Sequence, residues 1–164
     1  DVFPGRASDA RRHNMPLSLI VIDLDHFKWI NDNHGHSVGD VVLVEVSASL
    51  KQNYRTGGFV VRFGGEEFVI VLPKCGSEDA LTRPESFRAA IEASKPAGLD
   101  VTASVGVSEL PLDRAVSFEA LFHAADEALY EAKGGGRNQV RLGAVGNVDP
   151  ALASTSAESA AVSA

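Results

Sequence analysis

Five short segments of the chain carry the β-branched and aromatic runs that are typical of buried strands. They lie at 17–22, 59–63, 66–72, 101–107 and 139–142. The first runs into an Asp-Leu-Asp sequence at 23–25, which predicts a buried strand that presents carboxylates to solvent at its C-terminal end. The second and third flank Gly64 and Gly65, which predicts a tight antiparallel hairpin with a two-residue turn.

Helical spacing of apolar residues separates these strands. Positions three and four apart are apolar between 117 and 133, which predicts an amphipathic helix. The segment 77–94 also has a helical pattern, but Pro84 predicts a break or a start there. The valine-rich run 41–46 has strand propensity as well as a helical face, and we predict a helix capped by Asp40. Strands that alternate with helices around one central hairpin predict an α/β fold with a mixed central sheet flanked by helices.

Length and charge narrow the class of protein. The 164 residues allow one domain, predicted at 1–142, followed by a flexible Ala- and Ser-rich tail at 143–164. A formal net charge of −7 disfavours nucleic-acid binding. Cys75 is the only cysteine, so no disulfide forms within the chain, and we expect a reducing, cytoplasmic setting. No apolar run approaches the roughly 18 residues of a membrane span. The abrupt start suggests a fragment.

The first candidate for chemistry is the acidic pair Asp23 and Asp25. Residues two apart on an extended strand point to the same side, and hard divalent cations prefer oxygen ligands. Two interpretations stay open, since an Asp at a strand end also caps a following helix. Lys28 follows closely enough to reach an anion held by the same metal ion.

The second candidate is the sequence Gly-Gly-Glu-Glu at 64–67. Glycines leave backbone N–H groups open to a phosphate, and Glu66 and Glu67 should project to opposite sides of a strand. A hairpin without any ligand explains the glycines equally well.

Three further groups of polar residues are candidates for ligand binding, and each also has a purely structural explanation. Asp40 could accept both donors of a guanine edge while Asn31 takes its carbonyl, yet loop and cap roles also explain them. His34 and His36 are interpreted as loop histidines rather than metal ligands. Lys133 and Arg137 flank three glycines where a helix ends; they could grip phosphate, or only complement the helix dipole. No P-loop, dinucleotide fingerprint or nucleophile elbow is present.

Together these motifs resemble the GGDEF domain of diguanylate cyclases in its GGEEF form. The resemblance covers about 17–140 and is carried by the sequences at 23–28, 30–32, 35–36, 39–40, 62–68, 125–133 and 136–138. It implies a nucleotide-cyclase-like fold with a catalytic β-hairpin. The implied reaction is the condensation of two GTP into cyclic di-GMP and two pyrophosphates, in a homodimer in which each 3′-hydroxyl attacks the α-phosphorus of the other nucleotide.

The resemblance also assigns residues. Asp23, the Leu24 carbonyl and Glu66 would hold Mg²⁺ or Mn²⁺, with Glu67 in the same shell. Glu66 would help to deprotonate the 3′-hydroxyl, and Lys28 would stabilise phosphate charge. The implied substrate contacts are Asn31, His36, Asp40, Leu43, Gly64, Gly65, Lys133 and Arg137.

The chain departs from the family pattern at two places. The usual D-x-L-T-G-L-x-N-R-R lead is missing, which we expect to weaken the first helix and lower activity. The product-inhibition motif R-x-x-D reads Arg-Thr-Gly-Gly, in which Arg55 is kept and Gly58 replaces the aspartate, so we predict weak or absent product inhibition. A regulatory domain is expected outside this sequence. The alternatives are a catalytically silent GTP-binding regulatory module and a cyclase with another purine choice, which Asn31 and Asp40 disfavour.

Overall fold

One mixed five-stranded sheet is the framework of the computed structural model, which describes residues 3–54 and 57–146. The strands are β1 (Leu17–Leu24), β2 (Phe59–Arg62), β3 (Glu67–Pro73), β4 (Ala103–Glu109) and β5 (Val140–Leu142). The helices are α1 (Phe3–Arg12), α2 (Phe27–His34), α3 (His36–Tyr54), α4 (Ser77–Ser94) and α5 (Phe118–Gly134). The predicted α/β class with a mixed sheet flanked by helices is confirmed.

The strand order is β2-β3-β1-β4-β5, with β1 antiparallel to both β3 and β4, and β5 parallel to β4. The hairpin β2-β3 therefore lies at one edge of the sheet, and its predicted central position is wrong. The central strand is β1, and all eight of its residues are buried. One face of β1 packs with α2, α3 and α4, and the other with α1 and α5.

The valine-rich segment forms a helix, as predicted. Val42 is fully buried whereas Val41 and Val44 are 46% and 68% exposed, which is the helical period and not strand alternation. The predicted cap at Asp40 is wrong, because α3 begins four residues earlier at His36. Gly35, at φ 88°, ends α2 and turns the chain directly into α3.

The predicted break at Pro84 is also wrong, because α4 runs through it from 77 to 94. A proline within a helix removes one backbone hydrogen bond, but it need not end the helix when packing compensates. Here Ala80, Phe87 and Ile91 are buried on one side of α4 against the sheet.

The packed body continues past the predicted domain boundary at residue 142. The Gly143 N–H donates to the Val107 carbonyl at 2.7 Å, and Val145 packs against the α1/α5 side of the sheet. Arg114 Nη2 donates to the Val145 carbonyl at 3.1 Å. The rest of the predicted tail, 147–164, lies outside the described residues. Among the helices described, none is long and apolar enough to cross a membrane.

Candidate functional site

The two acidic segments singled out in the sequence meet where β1 ends. Asp23 is directly opposite Glu67 in the β1–β3 pairing, and the Leu24 N–H donates to the Glu66 carbonyl at 3.3 Å. A cavity of about 170 Å³ opens there. Its lining residues are Asp23, Leu24, Asp25, His26, Phe27, Lys28, Glu66, Lys133 and Arg137.

Asp23 is the most constrained carboxylate of this cavity. It is 9% exposed, its Oδ2 accepts a hydrogen bond from Lys133 Nζ, and its Oδ1 is buried with no partner among the described residues. Burial raises the pKa of Asp23 although Lys133 opposes that rise, and the nearby charges of Glu66 and Asp25 raise it further. A carboxylate that lines the cavity therefore keeps one buried oxygen without a hydrogen-bond donor.

Asp25 does not share this role. It is 4% exposed and accepts hydrogen bonds from Thr102 Oγ1 at 2.7 Å, Ser104 Oγ at 2.6 Å and the Asn138 N–H at 3.0 Å. The interpretation of Asp23 and Asp25 as a ligand pair is wrong, because Asp25 is already satisfied by protein donors. The cap interpretation fails too, since the N-cap position of α2 is His26. The prediction that this strand end presents its carboxylates to solvent is also wrong.

The hairpin turn differs from the predicted two-residue turn. The Phe63 N–H donates to the Glu67 carbonyl, and the Glu67 N–H donates back to the Gly64 carbonyl at 3.1 Å, so Gly65 and Glu66 lie inside a four-residue turn. Gly64 has φ 85°, a value that favours glycine, and Arg62 Nε donates to the Gly65 carbonyl at 2.9 Å across the turn. Glu66 thus extends from the turn itself and not from the strand.

Glu67 begins β3 and carries a raised pKa. Burial is the main cause, and the negative charges of Asp126 and Asp23 add to it. The carboxylates of Asp23, Glu66 and Glu67 therefore repel one another, and Lys133 offsets part of the repulsion.

The donor set fits a hard divalent cation, although it is not assembled as a metal site. Within 3–54 and 57–146 no three His, Cys, Asp or Glu side chains form a compact group that could hold a metal. Lys133 occupies the Oδ2 of Asp23, so a cation that used both oxygens of this carboxylate would require the ion pair to open. The orphan Oδ1 and the neighbouring carboxylates of Glu66 and Glu67 are the oxygen ligands that such a cation prefers.

Three cationic side chains surround the same cavity. Lys28 is exposed on the first turn of α2, Lys133 lies in the last turn of α5, and Arg137 is exposed in the following loop. The predicted phosphate contacts therefore lie beside the predicted metal ligands. Gly64 and Gly65 are exposed at the hairpin tip, and a Cβ placed on either would meet nothing within 4 Å.

The predicted guanine contacts lie on α2 and α3 and not in a loop, which corrects that interpretation. His34 ends α2 and His36 begins α3, so neither is a loop histidine. Asp40 and Leu43 line a second groove, of about 470 Å³, together with Val44, Ser47, Ala48, Lys51 and Arg62.

Gly39 lets Asn31 lie against α3. A Cβ on Gly39 would be only 1.9 Å from Asn31 Oδ1 and 3.3 Å from Phe27 Cζ. Asn31, on α2, is thereby held next to the residue that precedes Asp40 in α3. The sequence analysis used Gly39 in the family resemblance but did not predict its packing role, although a glycine inside a helical pattern signals close packing.

Sequence reasoning also missed the partners of Asp25. Thr102 directly precedes β4, Ser104 is its second residue, and Asn138 comes from the loop after α5. The available signal was weak: two hydroxyl residues at alternate positions of an apolar strand, and an asparagine after a glycine run. Arg55, predicted as the remnant of a product site, lies outside the described residues.

The chain is similar to a known protein family and to several curated proteins. The family model described as "Diguanylate cyclase, GGDEF domain" matches residues 5–139. Diguanylate cyclase DosC of Escherichia coli (strain K12) is 38% identical over 144 residues, 86% of this chain and 31% of that protein. Diguanylate cyclase DgcM of the same strain is 43% identical over 124 residues, 75% of this chain and 30% of that protein. The chain thus spans about a third of the length of these relatives.

The chain is also similar to solved structures. The active GGEEF domain of a diguanylate cyclase from Vibrio cholerae superposes with a TM-score of 0.78 at 33% identity, covering 85% of this chain and 90% of that one. The GGDEF domain of DgcB from Caulobacter crescentus, in complex with c-di-GMP, gives a TM-score of 0.77 at 31% identity, with 84% of each chain covered. By its sequence and its fold, the chain belongs to the diguanylate cyclase GGDEF domain family.

Proposed function

We propose that this chain condenses two molecules of GTP into cyclic di-GMP with release of two pyrophosphates. The observation that carries the proposal is the cavity at the end of β1, which acidic residues and three cationic side chains line together. Phosphoryl transfer requires these two elements, cation-binding carboxylates and a cationic clamp. The names of the relatives, and the c-di-GMP bound to one of them, support the same activity.

Four groups would hold Mg²⁺ or Mn²⁺: the carboxylates of Asp23, Glu66 and Glu67, and the Leu24 carbonyl. Such an ion would neutralise phosphate charge and would polarise the α-phosphoryl group. Lys133 has a matching role on the protein side. A bound triphosphate would offer the Lys133 ammonium group a stronger anionic partner than Asp23. Both oxygens of Asp23 would then be free for the cation.

Lys28 would stabilise the phosphate charge, and Lys133 and Arg137 would bind the terminal phosphates; all three side chains line the cavity. Glu66 accepts the proton of the attacking 3′-hydroxyl. The 3′-oxygen forms a bond to the α-phosphorus of the other nucleotide as the bond from that phosphorus to the β-phosphate oxygen breaks, and pyrophosphate leaves with those electrons. Two such transfers close the ring.

Guanine would be read by the α2–α3 pair. Asp40 accepts the ring N–H and the exocyclic amine, while the Asn31 amide donates to the base carbonyl, with His36 nearby and Leu43 packed on the ring. Asp40 and Leu43 already line an open groove, and Asn31 is held in place against Gly39. Adenine lacks this donor pair, so the site should prefer GTP to ATP.

Each protomer binds one nucleotide, so catalysis would require a homodimer in which two such cavities face each other. The test is a rate assay at several protein concentrations. We expect the rate per chain to rise with concentration; a constant rate per chain down to concentrations at which the protein is monomeric would contradict the dimer requirement.

The decisive experiment is incubation with GTP and Mg²⁺, followed by chromatography for cyclic di-GMP. Glu66→Ala should abolish product and leave the fold intact, because removing a partly exposed turn carboxylate costs only about 0.5 kcal/mol. The control Glu119→Ala removes an exposed carboxylate that lines neither groove and should retain activity. Full turnover by Glu66→Ala would overturn the mechanism, and GTP binding by the wild type without turnover would favour the silent regulatory module.

We also propose that product inhibition through the R-x-x-D position is weak. Gly58 stands where the motif has aspartate, and a Cβ there would be 3.0 Å from the Tyr54 carbonyl oxygen and 3.1 Å from Leu72 Cδ2. A larger side chain would need the backbone or Leu72 to shift. Calorimetry should detect no tight cyclic di-GMP binding; binding that disappears in Arg55→Ala would contradict this prediction.

A further inference from the structure

The loop between α5 and β5 is built from unusual backbone conformations. Arg137 and Asn138 both have positive φ, at 64° and 47°, directly after Gly136 at 109°. Residues with a side chain rarely adopt this left-handed region, and two in succession require support from the surrounding structure. The loop carries Arg137, a proposed phosphate contact.

Beneath the loop, Asp25 supplies one part of that support. The Asn138 N–H donates to Asp25 Oδ2 at 3.0 Å. Asp25 is itself held by Thr102 Oγ1 at 2.7 Å and Ser104 Oγ at 2.6 Å, and all of these groups are buried or half-buried. The backbone of Asn138 is therefore tied to the sheet.

On the other side, the Asn138 side chain binds α4. Its Oδ1 accepts from Arg88 Nη1 at 2.6 Å, and its Nδ2 donates to Glu92 Oε2 at 2.9 Å. Arg88, only 15% exposed, also donates to Glu92 at 3.0 Å and makes two hydrogen bonds with Glu85, at 2.6 and 2.9 Å. The amide of Asn138 thus completes a network that is fixed to a helix packed on the core.

The Arg137 side chain, by contrast, has no hydrogen-bond or ion-pair partner in the part of the chain that the structure describes. It is exposed and lines the cavity, so its direction depends on its own backbone. That backbone is held by the Arg137 N–H, which donates to the Ala132 carbonyl at 2.9 Å, and by the anchored residue that follows.

We propose that Asn138 is a positioning residue, which aims Arg137 at the nucleotide phosphates by clamping the α5–β5 loop between Asp25 and the Arg88–Glu92 pair of α4. This inference rests on the proposed function. Asparagine suits the position because it tolerates positive φ and offers both an acceptor for Arg88 and a donor for Glu92.

The test is Asn138→Asp, which keeps the tolerance of positive φ and the acceptor for Arg88 but turns an oxygen toward the Glu92 carboxylate. We expect the KM for GTP to rise about tenfold with kcat changed less than about twofold, since only phosphate binding is impaired. The affinity for guanosine, measured by NMR titration, should stay unchanged. Glu92→Gln in the same chain provides an amide donor for the new carboxylate and should restore the KM.

Two further proteins make the result decisive. In an Arg137→Ala background, Asn138→Asp should add nothing to the loss of GTP affinity, because the group that it positions is gone. Should Asn138→Asp fail to fold, Glu92→Ala removes the same hydrogen bond from a helix residue whose side chain is 53% exposed, and should also raise KM.

The inference is overturned if Asn138→Asp lowers thermal stability without changing KM, if guanosine affinity falls as much as GTP affinity, or if its effect persists in full without Arg137. A wild-type protein that binds no GTP would instead refute the proposed function. These outcomes are separate, since failure of the inference leaves wild-type turnover and the effect of Arg137→Ala intact.

Discussion

Gly39→Ala should impair recognition of guanine without damaging the fold. The substitution adds one methyl group to α3, and that methyl carbon would be 1.9 Å from Asn31 Oδ1, 3.0 Å from Asn31 Cγ and 3.3 Å from Phe27 Cζ. Contacts below 3.0 Å are not tolerated, but the nearest atom is the end of a side chain that can rotate. We therefore expect the Asn31 amide to swing away from α3 and from the groove beside Asp40.

The expected loss of GTP affinity follows from the single hydrogen bond between Asn31 and the base that is lost. A hydrogen bond of this kind contributes about 0.5–1.5 kcal/mol. At 1.4 kcal/mol per factor of ten, GTP affinity should fall by about two- to tenfold. Stability should change little, because alanine is favoured over glycine in a helix by about 0.8–1 kcal/mol and this gain offsets the displacement of Asn31.

A double-mutant cycle measured by calorimetry tests this reasoning. Asn31→Ala alone should weaken GTP binding to the same extent as Gly39→Ala, and the double variant should be no weaker than either. In the Asn31→Ala background the clash with the amide is absent and the 3.3 Å approach to Phe27 Cζ remains, so Gly39→Ala should raise the free energy of unfolding by about 0.5–1 kcal/mol. Gly134→Ala, where a Cβ meets nothing within 4 Å, is the control. Wild-type GTP affinity in Gly39→Ala would refute the proposed position of Asn31.

Three further predictions concern charge, burial and packing. Lys133→Met should strengthen Mn²⁺ binding in the absence of nucleotide, because Asp23 loses its ammonium partner, and it should weaken GTP binding about tenfold. Calorimetry with each ligand measures both affinities. An unchanged Mn²⁺ affinity would argue against competition between Lys133 and the cation for Asp23. Tyr54→Phe removes a buried hydroxyl that has no partner among the described residues and should add about 1 kcal/mol of stability at pH 7. Burial raises the pKa of Tyr54 to about 12. Between pH about 10 and 12 only the unfolded wild-type chain loses the tyrosine proton, so the stability of the wild type falls in this range. The stability advantage of Tyr54→Phe should therefore widen in urea titrations at pH 11. Gly106→Ala would put a methyl carbon 1.9 Å from the Ala125 carbonyl oxygen, where β4 meets α5, and should cost more than about 3 kcal/mol in the same titrations, whereas Gly134→Ala should cost little.

Local pattern was a good guide to most elements, and its errors have tertiary causes. The valine-rich run became α3 because helical spacing puts Val42, Val46 and Leu50 on one buried face. The break predicted at Pro84 did not occur, since the packing of Phe87 and Ile91 on the sheet outweighs one lost hydrogen bond. The position of the hairpin at the sheet edge follows from pairing between distant strands, which no local pattern encodes.

Some features of the candidate site likewise follow from the local sequence, and others depend on the tertiary structure. The sequence by itself determined which residues carry charge, where strands and turns bring them to an end of the sheet, and which family they resemble, because these features depend on neighbouring residues. Only the tertiary structure decided that Asp23 keeps an unpartnered oxygen while Asp25 does not. The donors that satisfy Asp25 lie 77, 79 and 113 positions away along the chain, and the cation on Asp23 lies 110 away. Whether a buried carboxylate is available to a ligand depends on such distant partners, and these are brought together only when the whole sheet has formed.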